Sequence, residues 1–168
     1  AHHAGVTIES EPGKGTTVCA LFPAATEEGR VSPSNALEEP EAVNLAGRSV
    51  LLVDDEPMVC EVGSRLLRRA GCHAILAQSG LEALELLNNK VPLECIIVDW
   101  TMPGMDTGEL LRTIRETRPT LPIIVASGHT ESTVRSRIDE PCQPDAFLQK
   151  PYGTKEIVAV LERVLKPV

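Results

Sequence analysis

From Arg48 onward, the chain alternates short aliphatic runs with stretches whose apolar residues recur at helical spacing. The runs are rich in Val, Ile and Leu, which is typical of strands that are buried on both faces. They lie at residues 49–53, 73–77, 93–98, 122–126 and 145–149. Aromatic residues are only 2% of the composition, so Leu, Ile, Val and Ala must build the core. Five strand-then-helix repeats with right-handed crossovers predict an α/β fold, a doubly wound five-stranded parallel sheet.

The helices between these strands are predicted from apolar spacing and from capping residues. The first helix begins near Pro57 and ends before Gly71. Four apolar residues mark its predicted buried face: Val59, Val62, Leu66 and Ala70. Ser79 and Glu82, three residues apart, predict a capping box for the second helix. Later helices are predicted to bury Leu110, Leu111 and Ile114, then Ile157, Val160, Leu161 and Val164.

Composition excludes several function classes. The net charge of −8 and the pI near 5.0 disfavour phosphate backbones and anionic lipid as partners. No apolar run has membrane-spanning length, and residues 1–10 lack the pattern of a secretion signal. The five cysteines form no CxxC pair, which favours reduced thiols over disulfides or a zinc site. We therefore expect a cytoplasmic segment with no nucleic-acid partner and no direct membrane contact.

Charged and hydroxyl side chains follow the predicted strands at the points where these end. They are Asp54 and Asp55 after the first strand, Asp99 after the third, Ser127 after the fourth and Lys150 after the fifth. In open α/β sheets this edge is where ligands bind, so we expect the five side chains to lie close together. Three clustered carboxylates repel one another, and a divalent cation relieves the repulsion. Oxygen ligands that stay open to water on one side suit Mg²⁺, the cofactor that we predict.

The hydroxyl and the ammonium at this edge suit phosphoryl transfer. Lys150 supplies a point charge and Ser127 a hydroxyl for the oxygens of a phosphoryl group, while Mg²⁺ holds another oxygen. The nucleophile is then a carboxylate, and Asp99 is the natural choice because it is the lone acid at the end of the central strand. Taken singly, each residue also has an ordinary explanation as a helix cap, a turn residue or a solvated charge. Their joint placement at successive strand ends favours the chemical interpretation.

Four ordered motifs resemble the receiver domain of response regulators, the phosphoacceptor module of two-component signalling. They read LLVDDEP at 51–57, IIVDWTMPGMDTG at 96–108, ASG at 126–128 and KPY at 150–152. The resemblance covers residues 48–168 and implies a flavodoxin-like receiver fold with strand order 2-1-3-4-5. It implies that Asp99 accepts a phosphoryl group from phosphohistidine. It also implies that Asp55, Asp99 and the backbone carbonyl of Thr101 ligate Mg²⁺ directly, with Asp54 acting largely through bound water.

The same resemblance implies roles for residues of the later strands. Ser127 would hydrogen-bond the phosphoryl group, and Lys150 would pair with it. Phe147, three residues before Lys150, matches the aromatic switch residue of the family, where many members carry tyrosine. A cis peptide bond is implied between Lys150 and Pro151. Ser127 and Phe147 together would therefore carry the conformational switch.

The residues before the predicted sheet indicate a hairpin and a linker. Extended runs at 6–10 and 16–22 flank a Pro-Gly turn, and GVTIESEPGKGTT at 5–17 resembles the final strands of the ATP-binding domain of sensor histidine kinases. Residues 24–46 hold five glutamates among Pro, Ser and Gly, which predicts a flexible linker. The predicted domains are 1–23, the end of an ATP-binding domain; 24–46, the linker; and 47–168, the receiver.

This domain order is that of the C-terminal part of a hybrid histidine kinase. The expected partners are a histidine kinase core, a histidine-phosphotransfer protein, or both. Such a receiver catalyses only its own phosphorylation and dephosphorylation, whereas the parent chain would be a phosphotransferase. The implied function is thus phosphoryl relay.

Two other α/β families remain open at this stage. A Mg²⁺-dependent phosphatase of the haloacid dehalogenase type also uses an aspartyl nucleophile, but Thr101 stands where that family commonly carries a second Asp. A flavodoxin-type binding module cradles phosphate with Ser, Thr and Gly, a role that three carboxylates oppose. Turnover of a phosphate ester distinguishes the first family, and flavin colour the second.

Overall fold

The computed structural model describes residues 5–21, 45–89 and 91–165. Within these ranges, the hairpin and the five-stranded sheet belong to two separate units. Residues 24–44 of the predicted linker and Phe22 of the predicted second strand lie outside the described residues. None of the helices in the described ranges is long and apolar enough to cross a bilayer.

The first unit is an antiparallel hairpin, as predicted. Strand β1 (Gly5–Glu11) pairs with β2 (Gly15–Leu21) along its whole length. Gly13 turns the chain at φ +79°, a conformation that residues with a side chain rarely adopt. Three apolar residues share one face of the hairpin and are 63–67% exposed: Val6, Ile8 and Val18.

The second unit alternates strands and helices in the predicted order. Its strands are β3 (Ser49–Val53), β4 (His73–Ala77), β5 (Cys95–Asp99), β6 (Ile123–Ser127) and β7 (Ala146–Gln149). Its helices are α1 (Pro57–Arg69), α2 (Gly80–Asn88), α3 (Thr107–Thr117), α4 (Glu131–Arg135) and α5 (Thr154–Val164). Each strand begins and ends within two residues of its predicted bounds.

All five strands of this unit are parallel, in the order β4-β3-β5-β6-β7. Counted within the sheet, this is the 2-1-3-4-5 order that the family resemblance implies. Alternate residues of each strand enter two core clusters, one on each face of the sheet. The first cluster includes residues of α2, α3 and α4, and the second includes residues of α1 and α5. The central strand β5 is buried along its whole length, and its end positions Asp99.

None of the four residues predicted for the buried face of α1 is fully buried, and Val59, Leu66 and Ala70 are half-buried. Val62 is 51% exposed, so its assignment to the core was wrong. The residues that α1 buries are Cys60, Gly63, Ser64 and Leu67. A Cβ atom on Gly63 would lie 2.4 Å from Leu52 Cδ2, so the helix backbone itself packs against β3 at this point. Helix α1 thus turns the face with these four buried residues toward the sheet, and Val62 lies outside that face.

Helix α2 begins with most of the predicted capping box. Ser79 Oγ accepts a hydrogen bond from the Glu82 backbone N–H at 3.2 Å. The Glu82 carboxylate, however, accepts from the backbone N–H of Gln78 at 2.7 Å instead of from that of Ser79. Both contacts still satisfy donors near the start of the helix.

The folded unit begins before the predicted boundary at residue 47. Leu45, which the linker prediction included, is 4% exposed and belongs to the core cluster shared by α1 and α5. The Gly47 N–H donates to the Gly71 carbonyl at 3.0 Å, which fixes this stretch beside the end of α1. A single leucine after a polar segment gave no pattern from which its burial was predictable.

Candidate functional site

Three of the predicted site residues emerge at the carboxyl ends of neighbouring strands. Asp54 follows β3, Asp99 closes β5, and Ser127 closes β6. They are 2%, 6% and 2% exposed, respectively. The sheet ladder continues up to them, since the Asp54 N–H donates to the Ala77 carbonyl at 3.1 Å. Rigid backbone therefore fixes the position of each side chain.

The carboxylates of Asp54, Asp55 and Asp99 form one acidic cluster. One oxygen from each residue lies within 4.8 Å of the others. Asp54 and Asp99 are buried, whereas Asp55 is half-buried. The prediction that the three acids lie together is confirmed in the structure.

Lys150 lies immediately after β7 and reaches across the sheet edge to two of these acids. Its Nζ lies 2.7 Å from Asp54 Oδ2 and 2.8 Å from Asp99 Oδ1. Burial by itself would lower the pKa of the ammonium, but the hydrogen bonds to Asp54 and Asp99 outweigh it and raise that pKa above its usual value. Lys150 is therefore charged at neutral pH and holds the two buried acids together. A cis peptide bond joins it to Pro151, as the resemblance implied.

Backbone N–H groups orient the acids on the sides that face away from Lys150. Asp54 Oδ1 accepts from the Glu56 N–H at 3.0 Å, and Asp99 Oδ2 accepts from the Thr101 N–H at 3.1 Å. Each carboxylate is thus fixed at both oxygens. Thr101 lies beside Asp99, and the role of its carbonyl as a metal ligand remains a prediction.

Ser127 lies next to this cluster on β6. Its Oγ accepts from the His129 N–H at 2.9 Å, and its carbonyl accepts from the Lys150 N–H at 2.8 Å. A Cβ atom on Gly128 would meet nothing within 4 Å, so the backbone beside the hydroxyl is open. The backbone hydrogen bond from Lys150 thus joins Ser127 to the residue whose ammonium pairs with Asp99.

Phe147 lies on β7, three residues before Lys150, and its half-buried ring packs against the core cluster shared by α2, α3 and α4. The guanidinium carbon of Arg135 lies 4.6 Å from the centre of this ring, which is cation–π distance. The sequence did not predict a role for Arg135. The apolar spacing of the polar segment around α4 does not indicate which of its cations will lie over an aromatic ring on β7.

The donor set of the acidic cluster fits Mg²⁺. The three carboxylates and the Lys150 ammonium sum to a net charge of −2, which one divalent cation neutralises. The cluster contains oxygen donors alone, as a hard cation prefers. The half-buried position of Asp55 leaves that side of the cluster open to water ligands, which Mg²⁺ usually retains.

Comparison with known proteins places these residues in a family context. Residues 50–162 match the response regulator receiver domain. The chain is 34% identical over 167 residues to the sensor kinase CckA of Brucella abortus, an alignment that covers 96% of this chain and 18% of that protein. The chain thus spans less than a fifth of this relative, and it spans 24% of the DNA-binding transcriptional regulator NtrC of Escherichia coli at 34% identity over 69% of the chain.

Solved structures show the same fold. The chemotaxis protein CheY4 of Vibrio cholerae superimposes with a TM-score of 0.65 at 28% identity and covers 71% of this chain and 100% of its own. The response regulator TrrA of Thermotoga maritima, solved in complex with Mg²⁺ and BeF, gives a TM-score of 0.63 at 26% identity, over 70% of this chain and 99% of its own. The order of the strands, the acids at their ends and the matched sequence agree, and this chain belongs to the response regulator receiver domain family.

Proposed function

We propose that this chain is the phosphoacceptor of a two-component phosphorelay, with Asp99 as the residue that is phosphorylated. The observation that carries the proposal is the pairing of Lys150 Nζ with both Asp54 and Asp99 at the end of the sheet. This pairing holds a nucleophilic carboxylate, a cation and a second acid within one small site. Each of these groups has a use in phosphoryl transfer.

The donor is a phosphohistidine on a kinase core or a phosphotransfer protein. An Asp99 carboxylate oxygen attacks phosphorus, the P–N bond breaks, and its electron pair leaves with the imidazole, which takes up a proton. The product is an aspartyl phosphate. Lys150 Nζ, already 2.8 Å from Asp99 Oδ1, pairs with the oxygens of the transferred group. Ser127, buried beside it, donates its hydroxyl hydrogen to another of these oxygens.

Asp54, Asp55, Asp99 and the Thr101 carbonyl would hold Mg²⁺. When bound, the ion neutralises charge that develops on the phosphoryl oxygens. The solved complex of TrrA with Mg²⁺ and BeF supports a metal and a phosphoryl mimic on a fold of this kind. In this chain the net charge of −2 among the clustered groups supports the same assignment.

Phosphorylation switches the conformation through Ser127 and Phe147. To reach the phosphoryl group, the Ser127 hydroxyl must move toward Asp99 from its present contact with the His129 N–H. Because Ser127 and Lys150 are joined by a backbone hydrogen bond, this movement is transmitted to β7, which carries Phe147. The switch is a shift between two packings of the same residues.

The larger context is a hybrid histidine kinase in the cytoplasm. The alignment with CckA runs through the hairpin as well as the receiver, which supports the order kinase end, linker, receiver, with Leu45 already part of the receiver core. The exposed apolar face of the hairpin is of the kind that a larger domain covers. Partners are then a histidine kinase core or phosphotransfer protein, with no nucleic acid and no direct membrane contact in this segment.

The test is transfer of radiolabel from a histidine-phosphotransfer protein phosphorylated with phosphoramidate. With Mg²⁺, the parent chain and the control Asp139→Asn, an exposed acid away from the site, should both take up label. Asp99→Asn should not, and chelation of Mg²⁺ should stop transfer to all variants. Label that remains on histidine in the presence of Mg²⁺ would contradict the proposal. Repeated turnover of p-nitrophenyl phosphate would instead favour the phosphatase alternative.

A further inference from the structure

A cation–π pair joins α4 to β7 at the switch residue. Arg135, the last residue of α4, places its guanidinium carbon 4.6 Å from the centre of the Phe147 ring. The ring also packs against the core cluster shared by α2, α3 and α4. Phe147 is therefore held between apolar side chains and a cation.

The guanidinium is oriented by two further contacts. Its Nε donates to Glu131 Oε1 at 2.8 Å, and one terminal nitrogen donates to Gln143 Oε1 at 3.2 Å. The Gln143 amide in turn donates to the Arg135 and Ile138 carbonyls, at 3.0 Å and 2.6 Å. These two hydrogen bonds hold the guanidinium over the Phe147 ring. A long side chain that is 41% exposed would otherwise sample many rotamers.

The pair is coupled to the phosphoacceptor site through Ser127. Helix α4 begins four residues after Ser127, and the Ser127 carbonyl accepts the Lys150 N–H of the segment that follows Phe147. The cation and the ring are thus carried on two segments that meet at the same serine. A displacement of Ser127 moves one segment relative to the other, so the stack is sensitive to what binds at Asp99.

We propose that Arg135 is a positioning residue that holds the Phe147 ring where it lies while Asp99 is a free carboxylate. Switching must then break the stack, and Arg135 opposes switching. This inference rests on the proposed function, because it assumes that phosphorylation moves Ser127 and Phe147. It assigns to Arg135 a part in setting how readily this receiver switches.

The test measures the affinity of the chain for beryllofluoride, a phosphoryl mimic, at saturating Mg²⁺. Arg135→Met removes the cation and keeps the aliphatic stem, and Arg135→Lys retains a cation. Loss of a cation–π pair of this exposure should tighten the apparent affinity by about two- to fivefold. Arg135→Lys should lie between Arg135→Met and the parent. In a Phe147→Leu background, Arg135→Met should have no further effect, since the ring is already gone.

The sign of the effect separates this proposal from simple charge loss. Removing any cation near an anion site weakens anion binding by electrostatics alone. Arg137→Met, on the same segment and exposed, is the matched control and should leave the affinity unchanged or weaken it. Tighter binding of beryllofluoride by Arg135→Met therefore indicates that the stack of Arg135 on Phe147 stabilises the unphosphorylated conformation.

Ring movement is read directly by fluorine NMR. The chain has two phenylalanines, so para-fluorophenylalanine in a Phe22→Leu background gives a single resonance, from Phe147. At subsaturating beryllofluoride, Arg135→Met should show a larger fraction of the shifted resonance than the parent. If the parent itself shows no response, the proposed function fails and this inference fails with it. If the parent responds and Arg135→Met matches Arg137→Met, this inference alone is overturned.

Discussion

Asp55→Asn is predicted to stabilise the protein in the absence of divalent metal while strongly reducing its stabilisation by Mg²⁺. Asp55 is half-buried, forms no ion pair within the described ranges, and lies within 4.8 Å of Asp54 and Asp99. Lys150 pairs with those two acids, so Asp55 faces two negative charges and one positive charge. The substitution therefore removes the repulsion of about one net charge.

The magnitude follows from the distance. Two unit charges 4.8 Å apart interact by about 3.5 kcal/mol at an effective dielectric constant of about 20, and by about 0.9 kcal/mol in bulk water. A half-buried carboxylate lies between these limits and nearer to the solvent value. We therefore expect the free energy of unfolding of Asp55→Asn to exceed that of the parent by about 1–2 kcal/mol.

Urea unfolding with and without Mg²⁺ measures both halves of the prediction. At ten times its dissociation constant, Mg²⁺ should add about 1.4 kcal/mol to the free energy of unfolding of the parent and much less to that of Asp55→Asn. Glu116→Gln removes an exposed acid on α3, away from the cluster, and should change stability by less than about 0.5 kcal/mol. An Asp55→Asn chain that is no more stable than the parent without metal, or equal stabilisation of both chains by Mg²⁺, would contradict this prediction.

Three further predictions concern the fold and its thiols. Leu111 is fully buried in the core cluster shared by α2, α3 and α4, so Leu111→Ala leaves a cavity. In urea unfolding the substitution should lower the free energy of unfolding by about 2–5 kcal/mol and leave the m-value unchanged. A loss under about 1 kcal/mol would contradict this packing. Ser79→Ala removes the N-cap of α2 and should lower the free energy of unfolding by about 1 kcal/mol in the same assay. An unchanged free energy of unfolding would mean that Ser79 Oγ does not cap the helix. At pH 8, iodoacetamide should modify exposed Cys19 first, because burial raises the pKa of the Cys60, Cys72 and Cys95 thiols and leaves less thiolate. Mass spectrometry of peptides checks this order, and modification of Cys95 together with Cys19 would contradict it.

Most of the fold was predictable because its signals are local. Each strand of the parallel sheet is a continuous aliphatic run, and burial on both faces makes such runs easy to recognise. Because the carboxyl ends of parallel strands meet at one edge, the order of Asp54, Asp99 and Ser127 along the chain already predicted that they lie together in space. The motifs around them then indicated the family.

The errors and omissions arise from tertiary packing. The apolar spacing of α1 favoured the face with Val62, yet the helix buries the face with Gly63, where its backbone packs against Leu52. Leu45 is buried against elements distant in sequence. The stack of Arg135 on Phe147 depends on where a five-residue helix ends, which the spacing of apolar residues does not determine.

We propose that Asp99 accepts a phosphoryl group at a site formed with Asp54, Asp55 and Lys150. The mass of the intact chain after incubation with phosphoramidate and Mg²⁺, followed by peptide mapping, tests this directly. The intact mass should rise by one phosphoryl group that maps to Asp99, and it should not rise in Asp99→Asn or after Mg²⁺ is chelated. A modified Asp99→Asn chain, or a phosphoryl group mapped to another residue of the parent, would contradict it.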